Sequence, residues 1–279
     1  MVRQAGLRVH VLDVGQGLSV VVEAAGQVLL YDTGIGHTDH RGEGFSLVNS
    51  VLVPFLRSEG LPGPEVAVIS HADNDHAGGL EALRQHFPRV RVIAPPVFDD
   101  LSPDEACEQG KRWRWNGVEF WLLYPGPDEN RPDANLSDND LSCVLLVRYG
   151  QSTVLLPGDI EEYGEARLVE TLSGMLSDEH ERHPIDVVVA PHHGSATSSS
   201  EEFVNLLRPR FVVFSMGWAN RYGFPDSSVV LRYKSQGTKV FRSDESGAVR
   251  FDFNRDGLQR FPEEYRRQRF RIWSLWNRG

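Results

Sequence analysis

The chain has 279 residues, a formal net charge of −10 and a hydrophobic content of 40%. This length and composition suit one sizeable hydrophobic core. No run approaches the ~20 apolar residues that a membrane-spanning helix needs, and residues 1–6 show no apolar signal region. The acidic balance argues against non-specific DNA binding, because clustered Lys and Arg usually make the phosphate contacts.

Two basic clusters interrupt this acidic chain: Lys111, Arg112 and Arg114, and then Arg266, Arg267, Arg269 and Arg271. Each cluster fits either a solvated face or a contact for an anionic ligand. The acidic net charge is also weaker evidence against DNA binding if the acidic residues bind cations, because the cations reverse the sign of the local charge.

Hydrophobic periodicity and turn residues predict alternating strands and helices. In chain order these are strands 8–14, 18–23 and 27–31, helix 46–59, strand 65–70, helix 79–86, strands 90–94, 118–124, 142–149 and 151–157, helix 163–176, strand 185–190, helix 199–207, and strands 211–215, 238–242 and 249–253. Gly60 is the predicted stop of the first helix, and Ser199 with Glu202 forms a predicted capping box.

Strands and helices alternate, with hairpins at both ends of the pattern. This order predicts an α/β fold in which two mixed sheets pack together with helices outside. We expect a single domain over residues 1–255 and a polar, Arg-rich tail over residues 256–279.

The strongest chemical signal is the segment Ser70–Gly79, which follows a predicted buried strand and precedes a helix. Its four potential metal ligands are His71, Asp73, Asp75 and His76. A strand end followed by a loop can direct such side chains to one point, with His71 and Asp73 on one metal and Asp75 and His76 on a second. The alternative is a helix-capping acidic loop with incidental histidines.

Three further segments place potential ligands at predicted strand ends. Asp159 follows Gly158 and could bridge two cations, although Gly-Asp is also a common turn. His192 and His193 follow the strand at 185–190, and we expect His192 to be the ligand because it comes first off the strand. Asp32 ends the strand at 27–31, where an ordinary turn residue is the alternative.

Together these residues form a set of oxygen and nitrogen ligands without a thiolate. Two divalent cations held by such a set activate water at neutral pH and neutralise charge on a phosphate. The sequence contains no Gly-x-Ser-x-Gly elbow, phosphate-binding loop or dinucleotide fingerprint that favours other chemistry.

In this order, the segments resemble the metallo-β-lactamase superfamily, whose fold is an αββα sandwich. They are more similar still to the C-terminal domain of ComEC, the bacterial DNA-uptake channel protein, over residues 7–253. The similar segments are 12–17, 31–34, 70–79, 139–145 and 192–195, and 113–117 and 220–223 also look like proteobacterial members.

This resemblance implies a metal-dependent DNA nuclease that degrades the strand not taken up, with two divalent ions, manganese or zinc, as cofactors. The implied catalytic carboxylates are Asp73, Asp75 and Asp159, with Asp159 bridging the metals and His192 or His193 completing the set. The implied substrate-binding residues are Asn139, Ser142, Ser195 and Arg221, and those supporting the site are Asp13, Gln16 and Asp32.

Three positions depart from the superfamily pattern. Asp73 stands where many members carry His, a change that ComEC-like members share and that favours harder cations such as manganese. Leu18 stands where many relatives have an acidic residue, so the roles of Asp13 and Gln16 are less defined. The usual middle His ligand has no counterpart, and residues 139–142 occupy that region.

The resemblance also implies partners: DNA, the transmembrane channel region of the same full-length protein, and the DNA-uptake machinery. It implies a soluble domain of an inner-membrane protein that faces the periplasm.

Cys107 and Cys143 are too far apart for a Cys-x-x-Cys motif. They are either two buried thiols or, in an oxidising compartment, a disulfide.

Two other functions remain open at this point. One is a hydrolase of the same fold that acts on a small phosphodiester or a lactone. The other is a non-enzymatic, metal-stabilised DNA-binding module. A complete ligand set argues against the module, since binding alone does not require it.

Overall fold

The structure is a computed structural model that describes residues 6–38, 44–131, 133–176 and 185–268. Its strands are β1 (Leu7–Val11), β2 (Val20–Ala24), β3 (Gln27–Tyr31), β4 (Gly36–Thr38), β5 (Gly44–Ser46), β6 (Val66–Val68), β7 (Arg91–Ala94), β8 (Glu105–Ala106), β9 (Arg112–Trp115), β10 (Val118–Tyr124), β11 (Val144–Tyr149), β12 (Ser152–Leu156), β13 (Val187–Val189), β14 (Phe211–Phe214), β15 (Lys239–Arg242), β16 (Val249–Asn254), β17 (Gly257–Leu258) and β18 (Glu263–Glu264). Its helices are α1 (Val53–Glu59), α2 (Asn74–Ala77), α3 (Leu80–His86), α4 (Glu162–Leu176), α5 (Glu201–Leu207), α6 (Ser227–Ser235), α7 (Ser243–Ser246) and α8 (Tyr265–Gln268).

Two mixed sheets form the centre of the fold. In the described ranges the first sheet has nine strands in the order β17-β16-β1-β2-β3-β6-β7-β8, with β18 beside β16. The second has seven strands, in the order β15-β14-β13-β12-β11-β10-β9. Each sheet changes from antiparallel to parallel pairing, at β3 in the first and at β12 in the second.

The main core lies between the sheets and follows from the alternation of side chains along each strand. In β1, Leu7, Val9 and Val11 point into it, and in β10 Val118 and Phe120 do the same. Because successive side chains point to opposite faces, the other face of each sheet needs a separate cover.

Helices supply that cover on both outer faces. The apolar sides of α1 and α3 pack on the first sheet, whereas those of α4, α5 and α6 pack on the second. The layers therefore run helix, sheet, sheet, helix, and the predicted αββα sandwich of the α/β class is confirmed.

The parallel strands of both sheets end at one edge of the sandwich. In the first sheet, β3 leads to Asp32 and β6 leads to His71. In the second, β12 leads to Asp159 and β13 leads to His193. Open α/β sheets bind ligands at the carboxyl ends of their strands, so this topology brings the predicted ligands together.

Two helix starts differ from the sequence prediction. The predicted helix over residues 46–59 begins with a π-helical turn at Val48–Leu52 and continues as α1, which ends as expected at Gly60 with φ 60°. The N-cap of α5 is Ser200, whose side chain accepts a hydrogen bond from the Phe203 amide, so the prediction of Ser199 as the cap was wrong by one residue.

The segment expected to be a polar tail packs against the first sheet over its described part. Strands β17 and β18 pair with β16. Tyr265 Oη donates a hydrogen bond to Glu59, and Arg266 forms an ion pair with Asp13 at 2.5 Å. Residues 269–279, which include Arg269 and Arg271, lie outside the described residues.

A disulfide joins the two sheets. Cys107 follows β8 at the edge of the first sheet, and Cys143 precedes β11 in the second, with their Cα atoms 6.0 Å apart. Among the described helices, none has the length and apolar character to cross a membrane.

Candidate metal centre

Three imidazole rings and two carboxylates meet at the carboxyl ends of the parallel strands. Ligand atoms of His71, His76 and Asp159 lie within 4.8 Å of one another, and so do those of Asp75, His76 and His193. His76 belongs to both groups. Asp159 also contacts both, with its oxygens 3.2 Å from His76 Nε2 and 3.4 Å from His193 Nε2.

Local backbone geometry delivers these side chains. The short helix α2 carries Asp75 and His76 and points them to the same cluster as His71. Gly158 precedes Asp159 with φ +63°, and a Cβ there would lie 2.7 Å from the Ser70 Cβ. Only glycine fits this close approach without displacing its neighbours, so Gly158 allows Asp159 to enter the cluster.

Each imidazole is anchored through Nδ1, so that Nε2 faces the cluster. His193 Nδ1 donates to the Ser215 carbonyl at 2.8 Å, and His76 Nδ1 lies 2.8 Å from Asp32 Oδ2. His71 Nδ1 lies 3.0 Å from Ser70 Oγ. Such partners fix the ring orientation and the tautomer of metal-binding histidines.

Asp32 contacts several residues of this part of the site. It is fully buried and accepts hydrogen bonds from the amide and the hydroxyl of Ser70 at 2.7 and 2.8 Å, in addition to its contact with His76. Because Ser70 Oγ also contacts His71, one carboxylate orients two of the three imidazoles.

Ser142 supports the site from inside and does not face a substrate. Its side chain is fully buried, and its Oγ accepts a hydrogen bond from the Asp159 amide at 3.1 Å and lies 3.3 Å from His71 Nδ1. The expectation that Ser142 binds substrate is therefore corrected, because no face of its hydroxyl reaches solvent.

The structure places His193, and not His192, in a group of potential ligands, whereas strand order favoured His192. Both residues have left-handed backbone angles, and their rings, with centroids 6.5 Å apart, have different polar partners. His193 Nε2 lies 3.2 Å from Asp75 Oδ2. His192 Nδ1 instead lies 3.2 Å from Glu161 Oε1 and 3.3 Å from Thr197 Oγ1.

Asp73 stands at the rim of the cluster. Its side chain is 55% exposed, and its Oδ2 lies 3.6 Å from His71 Nε2. The structure groups His71 with His76 and Asp159 rather than with Asp73 alone, which differs from the expected pairing of His71 and Asp73 on one metal.

Opposite charges face each other in this buried cluster. Burial opposes ionisation of Asp159, but His76 and His193 outweigh it and hold the Asp159 pKa well below its usual range. Burial likewise disfavours charge on His76, yet Asp159 and Asp32 raise its pKa well above the ordinary value. For Asp75 the same balance of burial against the His193 contact lowers the pKa to about 2. The cluster therefore favours positive charge near its carboxylates.

The donor set fits divalent cations. His71 Nε2 is buried without a hydrogen-bond partner, an arrangement that costs free energy unless the nitrogen meets a ligand. Mixed imidazole and carboxylate donors suit zinc and manganese. The residues that would hold the ions are those of the two groups of neighbouring ligand atoms, namely His71, His76, Asp159, Asp75 and His193.

The other predicted residues are outside the two groups of candidate ligands. Asn139 is half-buried in a 3₁₀ turn, and Ser195 is buried with its Oγ 3.0 Å from Thr197 Oγ1. Arg221 is exposed beside Tyr222. The Gln16 side chain accepts a hydrogen bond from the Gly217 amide at 3.5 Å.

Three residues that contact the imidazoles were not predicted from the sequence. Ser70 and the Ser215 carbonyl orient imidazoles, and Phe224 stacks on His193 with ring centroids 6.3 Å apart. The position of Ser70, directly before His71 at a strand end, was an available signal. Ser215 and Phe224 meet His193 only through the tertiary fold, so no local pattern marks them.

The chain belongs to the metallo-beta-lactamase superfamily, whose sequence profile matches residues 12–218. It is 36% identical to Competence protein ComA of Neisseria gonorrhoeae over 270 residues, which cover 96% of this chain and 34% of that protein. It is 35% identical to Recombination protein 2 of Haemophilus influenzae over 253 residues, covering 90% and 29%. The resemblance to the ComEC family is thus confirmed.

A solved structure shows the same fold. The metallo-beta-lactamase fold protein YhfI from Bacillus subtilis aligns with a TM-score of 0.55 and 11% identity, covering 89% of this chain and 100% of that one. The chain spans about a third of the length of the curated relatives that it matches.

Proposed function

We propose that this domain is a metal-dependent phosphodiesterase that cuts DNA, and that it degrades the non-transported strand during DNA uptake in natural transformation. The observation that carries the proposal is the convergence of three Nε2 atoms and two carboxylates at one edge of the sandwich. The names of the relatives, a competence protein and a recombination protein, support DNA as the substrate.

In this proposal, manganese or zinc ions are held by His71, His76, Asp75, Asp159 and His193. When bound, two such cations supply an activated water and neutralise charge on a phosphodiester. The protein contributes orientation: Asp32, Ser70 and Ser142 fix the donors before substrate arrives, which avoids reorganisation during the reaction.

The carboxylates have different proposed roles because their exposures differ. Asp159 is buried between His76 and His193, which suits a bridging ligand. Asp73 is open to solvent beside His71, so we assign it to the substrate side, as a ligand of the hard cation or as a proton acceptor. We assign Asn139, Ser195 and Arg221 as candidate contacts for the phosphate and the DNA backbone.

The cellular setting is part of the proposal. The similarity to a competence protein supports a role in DNA uptake, and we infer that a transmembrane channel region and the DNA-uptake machinery are its partners. A disulfide persists in oxidising compartments, so the Cys107–Cys143 bond supports a periplasmic orientation at the inner membrane.

The test is digestion of single- and double-stranded DNA by the purified chain with Mn²⁺ or Zn²⁺. We expect hydrolysis by the wild type and by the control Asp100→Ala, an exposed carboxylate on another element, and none by Asp75→Ala. Thermal unfolding gives a second readout, because the metal should raise the Tm of the wild type and of the control more than that of Asp75→Ala.

Two results would redirect the proposal. Intact DNA alongside turnover of a small phosphodiester or a lactone would assign the other hydrolase function. Metal-dependent stabilisation and DNA binding without hydrolysis of any substrate would assign a binding module.

A further inference from the structure

A row of aromatic rings connects the metal centre with the protein surface. His193, a proposed ligand, stacks on Phe224 with an interplanar angle of 25°, and Phe224 stacks on Tyr222 with 5.4 Å between centroids and an angle of 15°. The row ends at Arg221, whose guanidinium carbon lies 4.9 Å from the Tyr222 ring centre. Two of the three rings, those of Tyr222 and Phe224, belong to one loop, and the third is that of His193, the proposed ligand that Phe224 contacts.

The same loop, residues 216–226, carries the most exposed large hydrophobic side chain in the described part of the protein. Trp218 is 78% exposed, and Tyr222 is 52% exposed. Most tryptophans are largely buried, and this indole is exposed on the loop whose Phe224 stacks on His193, so the loop is a candidate surface for contact with a partner.

The loop holds these rings in a preformed arrangement. The Asn220 side chain donates hydrogen bonds to the carbonyls of Gly217 and Phe224 and accepts one from the Phe224 amide. At its base, the Ser215 carbonyl accepts from His193, and the Asp226 amide donates to the Gly194 carbonyl. A preordered loop loses little conformational entropy when a ligand binds.

We propose that the aromatic loop, residues 216–226, is a stacking platform for unpaired DNA bases, with Trp218 and the Arg221–Tyr222 end of the row as its stacking surfaces. This inference rests on the proposed function and specifies its substrate as single-stranded DNA or a frayed end. Every base has a flat π face that stacks on aromatic rings and on guanidinium planes. In a duplex those faces are already covered by neighbouring bases.

The position of the loop favours a nucleic acid over a protein partner. The ring row leads directly to His193, so a strand lying on the loop continues toward the cluster proposed to bind phosphodiesters. Arg221 adds a cation to this surface of a chain with net charge −10, and none of the ion pairs found within the described ranges involves Arg221.

The experiment compares labelled dT₁₂ with an abasic 12-mer, which has the same phosphates but no bases, by fluorescence anisotropy. Binding is measured at low salt in EDTA so that hydrolysis is prevented. We expect the wild type to prefer dT₁₂, and Trp218→Ala to lower the dT₁₂ affinity about tenfold, the scale of one stacked base, with little change for the abasic strand. Trp218→Phe should retain part of the preference.

Leu231→Ala is the matched control, since Leu231 is an apolar residue on α6 that is 65% exposed. Three results would contradict the proposed stacking platform. The wild type could bind both strands equally, it could bind neither, or Trp218→Ala could weaken binding of both strands equally. Mn²⁺-dependent hydrolysis is assayed separately on the wild type. If the wild type shows no hydrolysis but a Trp218-dependent preference for dT₁₂, the nuclease proposal is wrong and the stacking proposal stands.

Discussion

Asp32 Oδ2 lies 2.8 Å from His76 Nδ1, and both side chains are completely buried. Asp32 orients His76 through this contact. It also accepts hydrogen bonds from Ser70, which in turn contacts His71. Asp32 is outside both groups of candidate ligands, yet it orients two residues proposed to bind the cations.

Asp32→Asn should weaken metal binding by roughly 10- to 100-fold, the usual cost of losing such an outer partner. The amide removes the negative charge that favours an Nδ1–H tautomer of His76. Zn²⁺ or Mn²⁺ affinity can be measured by competition with a chromophoric chelator. Asp133→Asn, at an exposed position, is the control, and circular dichroism checks the fold. Wild-type affinity in Asp32→Asn would contradict the proposed support.

His193→Ala and His192→Ala should behave differently although the residues are adjacent. His193 Nε2 lies among Asp75, Asp159 and His76, whereas His192 contacts Glu161 and Thr197. We expect His193→Ala to lower metal affinity by more than about 100-fold, beyond the loss of an outer partner. His192→Ala should lower it by less than about tenfold.

The same titration measures both variants, and each serves as the control for the other. Equal losses would mean that the turn at Pro191–Gly194 rearranges when metal binds. A larger loss in His192→Ala would restore the assignment made from strand order.

The histidine pair also shows which part of the site cannot be predicted from the sequence. His71, Asp75, His76 and Asp159 were predictable because each lies at a strand end or in a dense motif. The choice of His193 depends on left-handed backbone angles of +46° and +54° at two consecutive non-glycine residues, which no local pattern encodes. The inward position of Ser142 arises from packing between β11 and the turn at Gly158, so only the tertiary structure separates it from a substrate contact.

The fold was more predictable than the site. Strand β3 has the predicted bounds, Gln27–Tyr31, because its alternation and its flanking turn are both clear. Residues 257–264 were not recognised as strands. Their pairing with β16 involves only two residues in each strand, too short a stretch for periodicity to appear.

Replacing both cysteines with serine should lower the free energy of unfolding by about 4 kcal/mol, from the loop-closure entropy of a 36-residue separation. Urea denaturation of Cys107→Ser/Cys143→Ser measures this loss, and wild type treated with reductant should show a similar one. A thiol titration of unreduced, denatured wild type should find no free thiol. Detection of two thiols would contradict the disulfide in solution.

The disulfide should also affect the metal centre. Cys143 adjoins Ser142, and the Cys143 amide donates to the Ser70 carbonyl at 2.8 Å. Both serines orient donors of the cluster. We therefore expect weaker metal binding in the double variant under conditions in which it remains folded.

Glu165 gives the described part of α4 a pH-sensitive contact with α5. Its carboxylate accepts hydrogen bonds from the amides of Ser199 and Ser200 at the start of that helix. Burial disfavours its charge and raises its pKa from 4.5 to about 7, despite the opposing effect of these amides.

A raised pKa means that the native state binds more protons than the unfolded state between pH 4.5 and about 7. The stabilising contribution is complete below the unfolded pKa and is lost as the pH rises through the folded value. The loss is on the order of 3 kcal/mol at most, at 1.36 kcal/mol per pKa unit. Glu165→Gln removes the titration, so its unfolding free energy should fall less than that of the wild type as the pH rises from 5 to 8.

Urea denaturation in EDTA over this range measures the difference while keeping metal linkage constant. Glu162→Gln, an exposed residue on the same helix, should follow the wild type. Loss of one acceptor oxygen in Glu165→Gln shifts its stability at every pH, so the diagnostic quantity is the slope. Parallel curves for Glu165→Gln and the wild type would show that the amides of Ser199 and Ser200 stabilise the carboxylate enough to cancel the effect of burial.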